Sequence, residues 1–459
     1  MRGVRFAKQL LRFRRFLNAS LPPTCGDGSV RTWVENASHM SQTILHVPRR
    51  FVSHEWGGTE TVITEISRQQ QAAGFQPKIF TSMALADRYV EIIRGVPVKR
   101  YNYCYPFLGL TQADKAALDK KGGNLLSLPL FNALLKEPDV RLFHAHSLKR
   151  LGGSTATAAR LQKKPFVVSL HGGVFDVPEA ELGTMTKPIE GKFEWGRLFG
   201  ALFKSRRILD DADMVICVGQ SEMEAAKKKL HHDRIAYLPN GVDTEKFKGG
   251  HGGRFRARHG IPAEAFLVLN ISRLDSQKNQ HVLVQAFTRF HRTNPKAHLV
   301  LIGPETQPDY AARLRHLIWE LGVQNQVTIL PGLHNDDPSL LDAYQACDTF
   351  VLPSMHEPFG IVVLEAWSAG KPVIASHIGG LKHLVRDEIN GLFFDVEDVA
   401  AVEHLTRQLH RLKDEPDLRQ LLAMNGRHEA AAHYDWRHIH SRQESLYQQA
   451  EMNHRSHSN

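Results

Sequence analysis

Cysteine is scarce in this sequence: its 459 residues hold four, Cys25, Cys104, Cys217 and Cys347, widely separated and without C-x-x-C spacing. That excludes a disulfide framework and a cysteine-based zinc cluster, and it suits a reducing cytoplasm. Long apolar runs are missing too. None reaches the roughly 20 residues a helix needs to cross a bilayer, so no transmembrane helix is expected. Nor is the composition extreme: 42% apolar, 8% aromatic and 23% charged residues belong to a globular chain and exclude disordered and collagen-like classes. Basic stretches interleaved with aromatics do not occur outside the N-terminus, so nucleic acid is not expected as a partner. Among 26 histidines, the pairs His144/His146 and His231/His232 lack the helical spacing and carboxylate partners of a metal site, and none is expected.

What is present begins with length. A chain of 459 residues exceeds what one core ordinarily serves, and two domains follow. The formal charge is +10, of which residues 1–40 supply +5, seven bases (Arg2, Arg5, Lys8, Arg12, Arg14, Arg15, Arg31) against Asp27 and Glu35. Residues 1–17 alternate those bases with Val4, Phe6, Leu10, Leu11, Phe13, Phe16 and Leu17. That pattern fits a basic amphipathic helix lying on a membrane surface, or a transit-like segment, and Met40 stands just before the first strand pattern as a second start.

From residue 43 onward short β-rich runs alternate with helical patterns, the signature of parallel βαβ units, so the fold class is α/β. Strands are expected at Thr43–Pro48, Pro77–Thr81, Val140–Ala145, Pro165–Leu170, Met214–Val218 and Ile235–Leu238. A second series runs through Phe266–Ile271, Ala297–Ile302, Gln326–Leu330, Thr349–Leu352, Pro372–Ala375 and Gly391–Phe394. Between them the Gly-rich, basic text of Lys246–Pro262 has no apolar period and is read as a joining loop. The expected organisation is a basic extension, amphipathic or disordered, over 1–41; doubly wound domains over 42–247 and 263–430; and a C-terminal helix and polar tail over 431–459, packing back on the first domain. Ligands bind such sheets at the carboxyl ends of the strands, so two facing domains create a cleft between them.

Two segments carry chemistry. In "EPFGIVVLE", Pro358 and Gly360 break the chain before a helix whose first turn offers free N–H groups at Phe359, Gly360, Ile361 and Val362, a place to hold a diphosphate without a metal. Glu357 precedes that helix and Glu365 lies inside it, so the two carboxylates reach different parts of one elongated ligand. Alone they would read as ordinary surface glutamates. The second segment, "NISRLDSQKNQ", puts Arg273 and Lys278 in a strand-to-helix loop on the ligand-binding edge, where their charge suits a diphosphate.

These segments resemble the retaining family 4 glycosyltransferases (glycosyl transferases group 1), whose GT-B fold has two Rossmann-like domains with an interdomain cleft. Glu357 and Glu365 match that family's E-x7-E pattern, and Arg273 and Lys278 its diphosphate-binding loop. "YLPNGVDTEKF", with Asn240, Gly241, Asp243 and Phe247, and "GGTETVITEISRQQQAAG" extend the resemblance from about Gln42 to about Tyr434. It implies a donor of nucleotide diphosphate sugar, UDP- or GDP-linked, with no further cofactor. It implies a hexose moved with retention to a glycan or lipid-linked acceptor, in cell-surface or extracellular polysaccharide or glycoconjugate biosynthesis. It implies roles too: Arg273 and Lys278 at the departing diphosphate, Glu357 and His171 at the sugar, Glu365 at the ribose, and Gly57 and Gly58 in close approach to phosphate or acceptor. Ser272 and Asn279 depart from the family's usual glycines. A catalytically silent binding subunit, a nucleotide-sugar epimerase and a phosphorylase are the rival readings of the same architecture. The basic N-terminus would place the enzyme in the cytoplasm, peripheral at the inner membrane surface.

Overall fold

The computed structural model describes residues 42–120, 122–172, 186–334, 336–396 and 399–458. The basic extension over 1–41, and with it the expected membrane contact, lies outside the described residues. Among the described residues no helix is long and apolar enough to cross a membrane.

The chain builds two sheets. The first has eight strands, β1 (Thr43–Val47), β2 (Gln76–Ser82), β3 (Val90–Ile93), β4 (Val96–Tyr101), β5 (Val140–Ala145), β6 (Phe166–Leu170), β7 (Met214–Cys217) and β8 (Ile235–Tyr237), in the order β3-β4-β2-β1-β5-β6-β7-β8. The second has six, β9 (Leu267–Ile271), β10 (His298–Ile302), β11 (Val327–Leu330), β12 (Thr349–Leu352), β13 (Val373–Ser376) and β14 (Leu392–Phe394), in the order β11-β10-β9-β12-β13-β14. Central strands such as β5 and β6 are buried along their whole length. Helices cover both faces of a parallel sheet, which is why these strands read as unbroken apolar runs with no alternation. In each sheet the order reverses beside the first strand, between β1 and β5 and between β9 and β12. Those gaps are the topological switch points where doubly wound sheets take ligands.

Two sequence expectations are corrected. The segment "VEIIRGVPVKR" was assigned no strand, yet it forms the β3–β4 hairpin, whose β3 edge is the antiparallel part of the first sheet. Its two-residue turn puts both Arg94 (φ 48°) and Gly95 (φ 83°) in the left-handed region, the geometry that hairpin turns prefer. Residues 246–262 are not a free joining loop. They hold the helix Gly252–Arg258, which buries Phe255 in the second domain's core while Arg254 pairs with Asp342 at 2.6 Å.

The chain passes between the sheets at Val242 and returns at Asp435, and the two crossings lie side by side. Val242 N–H donates to the Tyr434 carbonyl at 2.8 Å and Trp436 N–H to the Val242 carbonyl at 3.3 Å. Gly241 is required there, because a Cβ would stand 2.5 Å from the Trp436 ring. The C-terminal helix Trp436–Ser458 then packs against the helix Gly58–Ala72, β6 and β7. Its Tyr447 is fully buried, and Arg141 of β5 donates to both Glu444 and Glu451.

Candidate active site

A cleft open to solvent lies between the sheets, where paired doubly wound domains take their ligands. Trp56, Gly57, Gly58 and Thr61 line it from beyond β1. From the second domain come Ile271, Ser272 and Arg273 beyond β9, Ile302, Gly303 and Pro304 beyond β10, Gly332 and Leu333 beyond β11, and Ile361, Val362 and Glu365 beyond β12. The wall is thus built from strand carboxyl ends on both sides.

Two helix starts meet across this space. Gly360, at φ 100°, caps the helix Ile361–Ser368, and a Cβ on it would stand 2.7 Å from Leu381. Opposite, the helix Gly58–Ala72 begins with Gly57, whose N–H is capped by Glu60 at 3.1 Å. A Cβ on Gly58 would lie 3.5 Å from the Ile361 side chain, so the first turns nearly touch. Their unpaired N–H groups and aligned dipoles favour an anion in the gap. Phe359 adds backbone alone: its side chain is 4% exposed and lies in the core, with its ring centroid 6.1 Å from that of Tyr434.

The basic loop lies against the same helix. Asp275 caps the turn Ser276–Lys278 and pairs with Arg273 at 3.2 Å. The Lys278 ammonium reaches Glu357 at 2.6 Å, and both side chains are mostly buried. Lys278 is therefore not a bare cation waiting for phosphate; a diphosphate would have to share it with Glu357. Asn279 follows at φ 57°, and asparagine is among the few residues that tolerate the left-handed region. Ser272 needs no such freedom; its hydroxyl donates to Asn270 at 2.9 Å and accepts from Gln280 at 3.0 Å.

Glu365 is buried at the cavity wall and accepts a 2.6 Å hydrogen bond from the Tyr344 hydroxyl. Burial pushes its pKa up to about 7, while Tyr344 and the charge of Lys246 pull the other way. His171 follows β6. Its neighbour Gly172, at φ 88°, fits so closely against Pro358 that a Cβ would stand 2.3 Å from that ring. The structure therefore brings Lys278 to Glu357, and Gly58 to Ile361, and it sets the His171 turn against the loop that carries Glu357. Lys278, Glu357 and His171 flank the cavity without lining it.

The glycosyl transferases group 1 model matches residues 253–429, and the Glycosyltransferase Family 4 model matches residues 56–246. A D-inositol 3-phosphate glycosyltransferase of Saccharomonospora viridis is 32% identical over 406 residues, spanning 86% of this chain and 89% of that protein. The chain belongs to the family 4, group 1 glycosyl transferases. A galactosyltransferase of Escherichia coli, named for UDP-Gal and α-D-GlcNAc-diphosphoundecaprenol, is 30% identical over 284 residues, or 60% of this chain and 68% of its own length. Among solved structures, HepE of Anabaena in complex with UDP and glucose aligns with a TM-score of 0.67 at 21% identity, covering 89% and 99% of the two chains. Sucrose-phosphate synthase of Thermosynechococcus elongatus aligns with a TM-score of 0.66 at 22% identity, covering 89% and 98%. Both share the GT-B fold.

In this family 4 chain the sequence reading missed three groups. Arg94 sits 4.4 Å over the Trp56 ring and pairs with Asp336 of the other domain at 2.8 Å, closing one edge of the cleft. The Arg-Gly turn between alternating runs was the available signal. Tyr344, the partner of Glu365, carried no motif. The third group is a set of histidines at the first switch point, where His46, His144 and His146 bring ring nitrogens within 4.8 Å of one another, the spacing of a metal-ligand set. Each of those nitrogens already has a hydrogen-bond partner, and ligating an ion would break those bonds.

Proposed function

We propose that this family member is a retaining glycosyltransferase that moves a hexose from a nucleotide diphosphate sugar, UDP- or GDP-linked, to a glycan or lipid-linked acceptor. The reading rests above all on the two helix starts that meet at Gly58 and Ile361, beside the Lys278–Glu357 pair: an anion-binding gap with a sugar-binding carboxylate at its edge. The diphosphate lies against the N–H groups of Ile361 and Val362, Arg273 and Lys278 take up charge as it departs, and Glu365 accepts the ribose hydroxyls. Glu357 and His171 orient the sugar. Neither glutamate is free to act as half of an acid–base pair, since Glu357 is held by Lys278 and Glu365 by Tyr344. The proposed step is a same-face attack: the C1–phosphate bond breaks, the C1–acceptor bond forms, and the acceptor proton passes to the leaving phosphate oxygen. The protein's part is positioning and charge, and no metal is called for.

The Escherichia coli relative, named for UDP-Gal and a diphosphoundecaprenol acceptor, supports a lipid-linked acceptor; we place the transfer in cell-surface or extracellular glycoconjugate synthesis. A thermal-shift panel with UDP, GDP, ADP and their sugars tests the donor, because a ligand of the folded state alone stabilises by RT ln(1 + [L]/Kd). One nucleotide family should raise Tm, and Lys278→Ala should abolish most of the shift and of the transfer rate. No shift with any nucleotide, or near-normal turnover in Lys278→Ala, refutes the assignment.

A further inference from the structure

Four histidines gather at the first sheet's switch point: His46 near the end of β1, His144 on β5, His146 just beyond it and His171 just beyond β6. They are linked to one another through Gln70 and Tyr447 in a single buried chain of hydrogen bonds, and the proton positions along it can be worked out. The Gln70 carboxamide oxygen accepts only, so His46 must donate to it from Nε2, at 2.9 Å. In a neutral ring the other nitrogen is then bare, so His46 Nδ1 accepts from His146 Nε2 at 2.9 Å. His146 Nδ1 in turn accepts from His171 Nε2, again at 2.9 Å. The far side of the amide continues the same polarity. Gln70 Nε2 donates to the Tyr447 hydroxyl at 3.4 Å, which donates to His144 Nδ1 at 2.7 Å, leaving His144 Nε2 to donate to Ser169 at 2.7 Å. Burial keeps the rings neutral: it lowers the pKa of His46 and His171 to about 4 and holds His144 and His146 well below the ordinary value. Among the described residues, nothing donates to or accepts from His171 Nδ1.

We propose that Gln70 is a positioning residue, holding His171 through His46 and His146 in its Nε2-protonated tautomer so that Nδ1 offers the donor sugar a fixed lone pair. This rests on the reading that His171 faces the sugar. A sugar hydroxyl can donate or accept, but against a fixed lone pair it must donate. The device selects a hexose carrying a hydroxyl at the contacted position over an analogue that can only accept.

Two-bond ¹H–¹⁵N spectra of the full chain, with His171→Asn to identify the ring, read the tautomers directly. Wild type should show Nε2–H forms at His46, His146 and His171. In Gln70→Met the acceptor is gone, and the three rings should reverse to Nδ1–H; Gln70→Glu, which still accepts, should restore the original form. Donors with one hydroxyl replaced by fluorine, scanned around the ring, should lose about tenfold in kcat/KM at one position in wild type and Gln70→Glu, and little in Gln70→Met. An Nδ1–H ring at His171 in wild type overturns the proposal, and so do tautomers that Gln70→Met leaves unchanged. If Gln70→Met does not fold, the wild-type spectrum still decides. A tautomer switch without any change in fluorine discrimination overturns the role at the sugar, while the diphosphate assignment stands or falls separately on Lys278→Ala.

Discussion

Glu365 should make donor binding depend on pH across a range where an ordinary glutamate, ionised throughout, would give no dependence. Its carboxyl titrates near 7 because it is buried, and a carboxylate that accepts two ribose hydroxyls must be ionised. If the donor binds only the ionised form, about nine-tenths of the protein is competent at pH 8 and about one-tenth at pH 6. The apparent Kd should therefore rise about tenfold between them, about 1.4 kcal/mol. The donor should be an intact nucleotide sugar, because the terminal phosphate of a free nucleoside diphosphate has its own titration, as phosphate monoesters do at about 6. Titration calorimetry at fixed ionic strength gives Kd at each pH. Glu365→Gln should bind more weakly at pH 8 and flatten the profile. Tyr344→Phe removes a hydrogen bond that lowers the Glu365 pKa, so its inflection should move above 7. A wild-type Kd constant from pH 6 to 8, or a Glu365→Gln profile with the wild-type slope, refutes the reasoning.

The buried histidines act in the same sense, on stability and at lower pH. His46, His144, His146, His171 and His298 all have lowered pKa values, so the unfolded chain binds more protons between about pH 6.5 and 4. Their stabilisation is fully present above 6.5 and is lost through that window, at roughly 1.4 kcal/mol per pH unit for each proton taken up, and a Tm unchanged from pH 7 to 5 contradicts it. Gly172→Ala places a Cβ in a left-handed position against Pro358 and should push the His171 turn away from the Glu357 loop. Overpacking of this kind costs ~1–3 kcal/mol, and steady-state kinetics should register it as a raised donor KM. Arg141→Ala leaves Glu444 and Glu451 without their shared guanidinium; limited proteolysis should then cut within residues 436–458 much faster than in wild type.

The strands were legible because each is a short apolar run closed by a turn residue, and all those expected recur within a residue or two of their ends. The hairpin at Arg94 carried a weaker signal, the glycine of its turn between alternating runs, because arginine itself rarely adopts the left-handed conformation that the first turn position needs. The error over residues 246–262 has a different cause. Their glycines suggested slack, but Gly250 and Gly252 are there for close approach: a Cβ on either would come within 2.7 Å of the backbone of Leu341 or Gln345. In the site, Arg273, Lys278, Glu357 and Glu365 could be found because they lie in two continuous segments of one domain. The histidine chain joins residues up to 125 positions apart within the sheet, and reaches Tyr447 beyond it. No local pattern encodes that kind of proximity.

The return of the chain at Asp435 sets an order of events during synthesis. Domains usually fold in the order in which they are made. Here the first sheet lacks the side chains of Trp436, Ile439, Tyr447 and Ala450, which belong to one of its cores, until the last part of the chain has been translated. The second domain has all its strands by Phe394. The second half is therefore ready first, and the first half waits for the helix Trp436–Ser458 to cover Arg141 and satisfy His144.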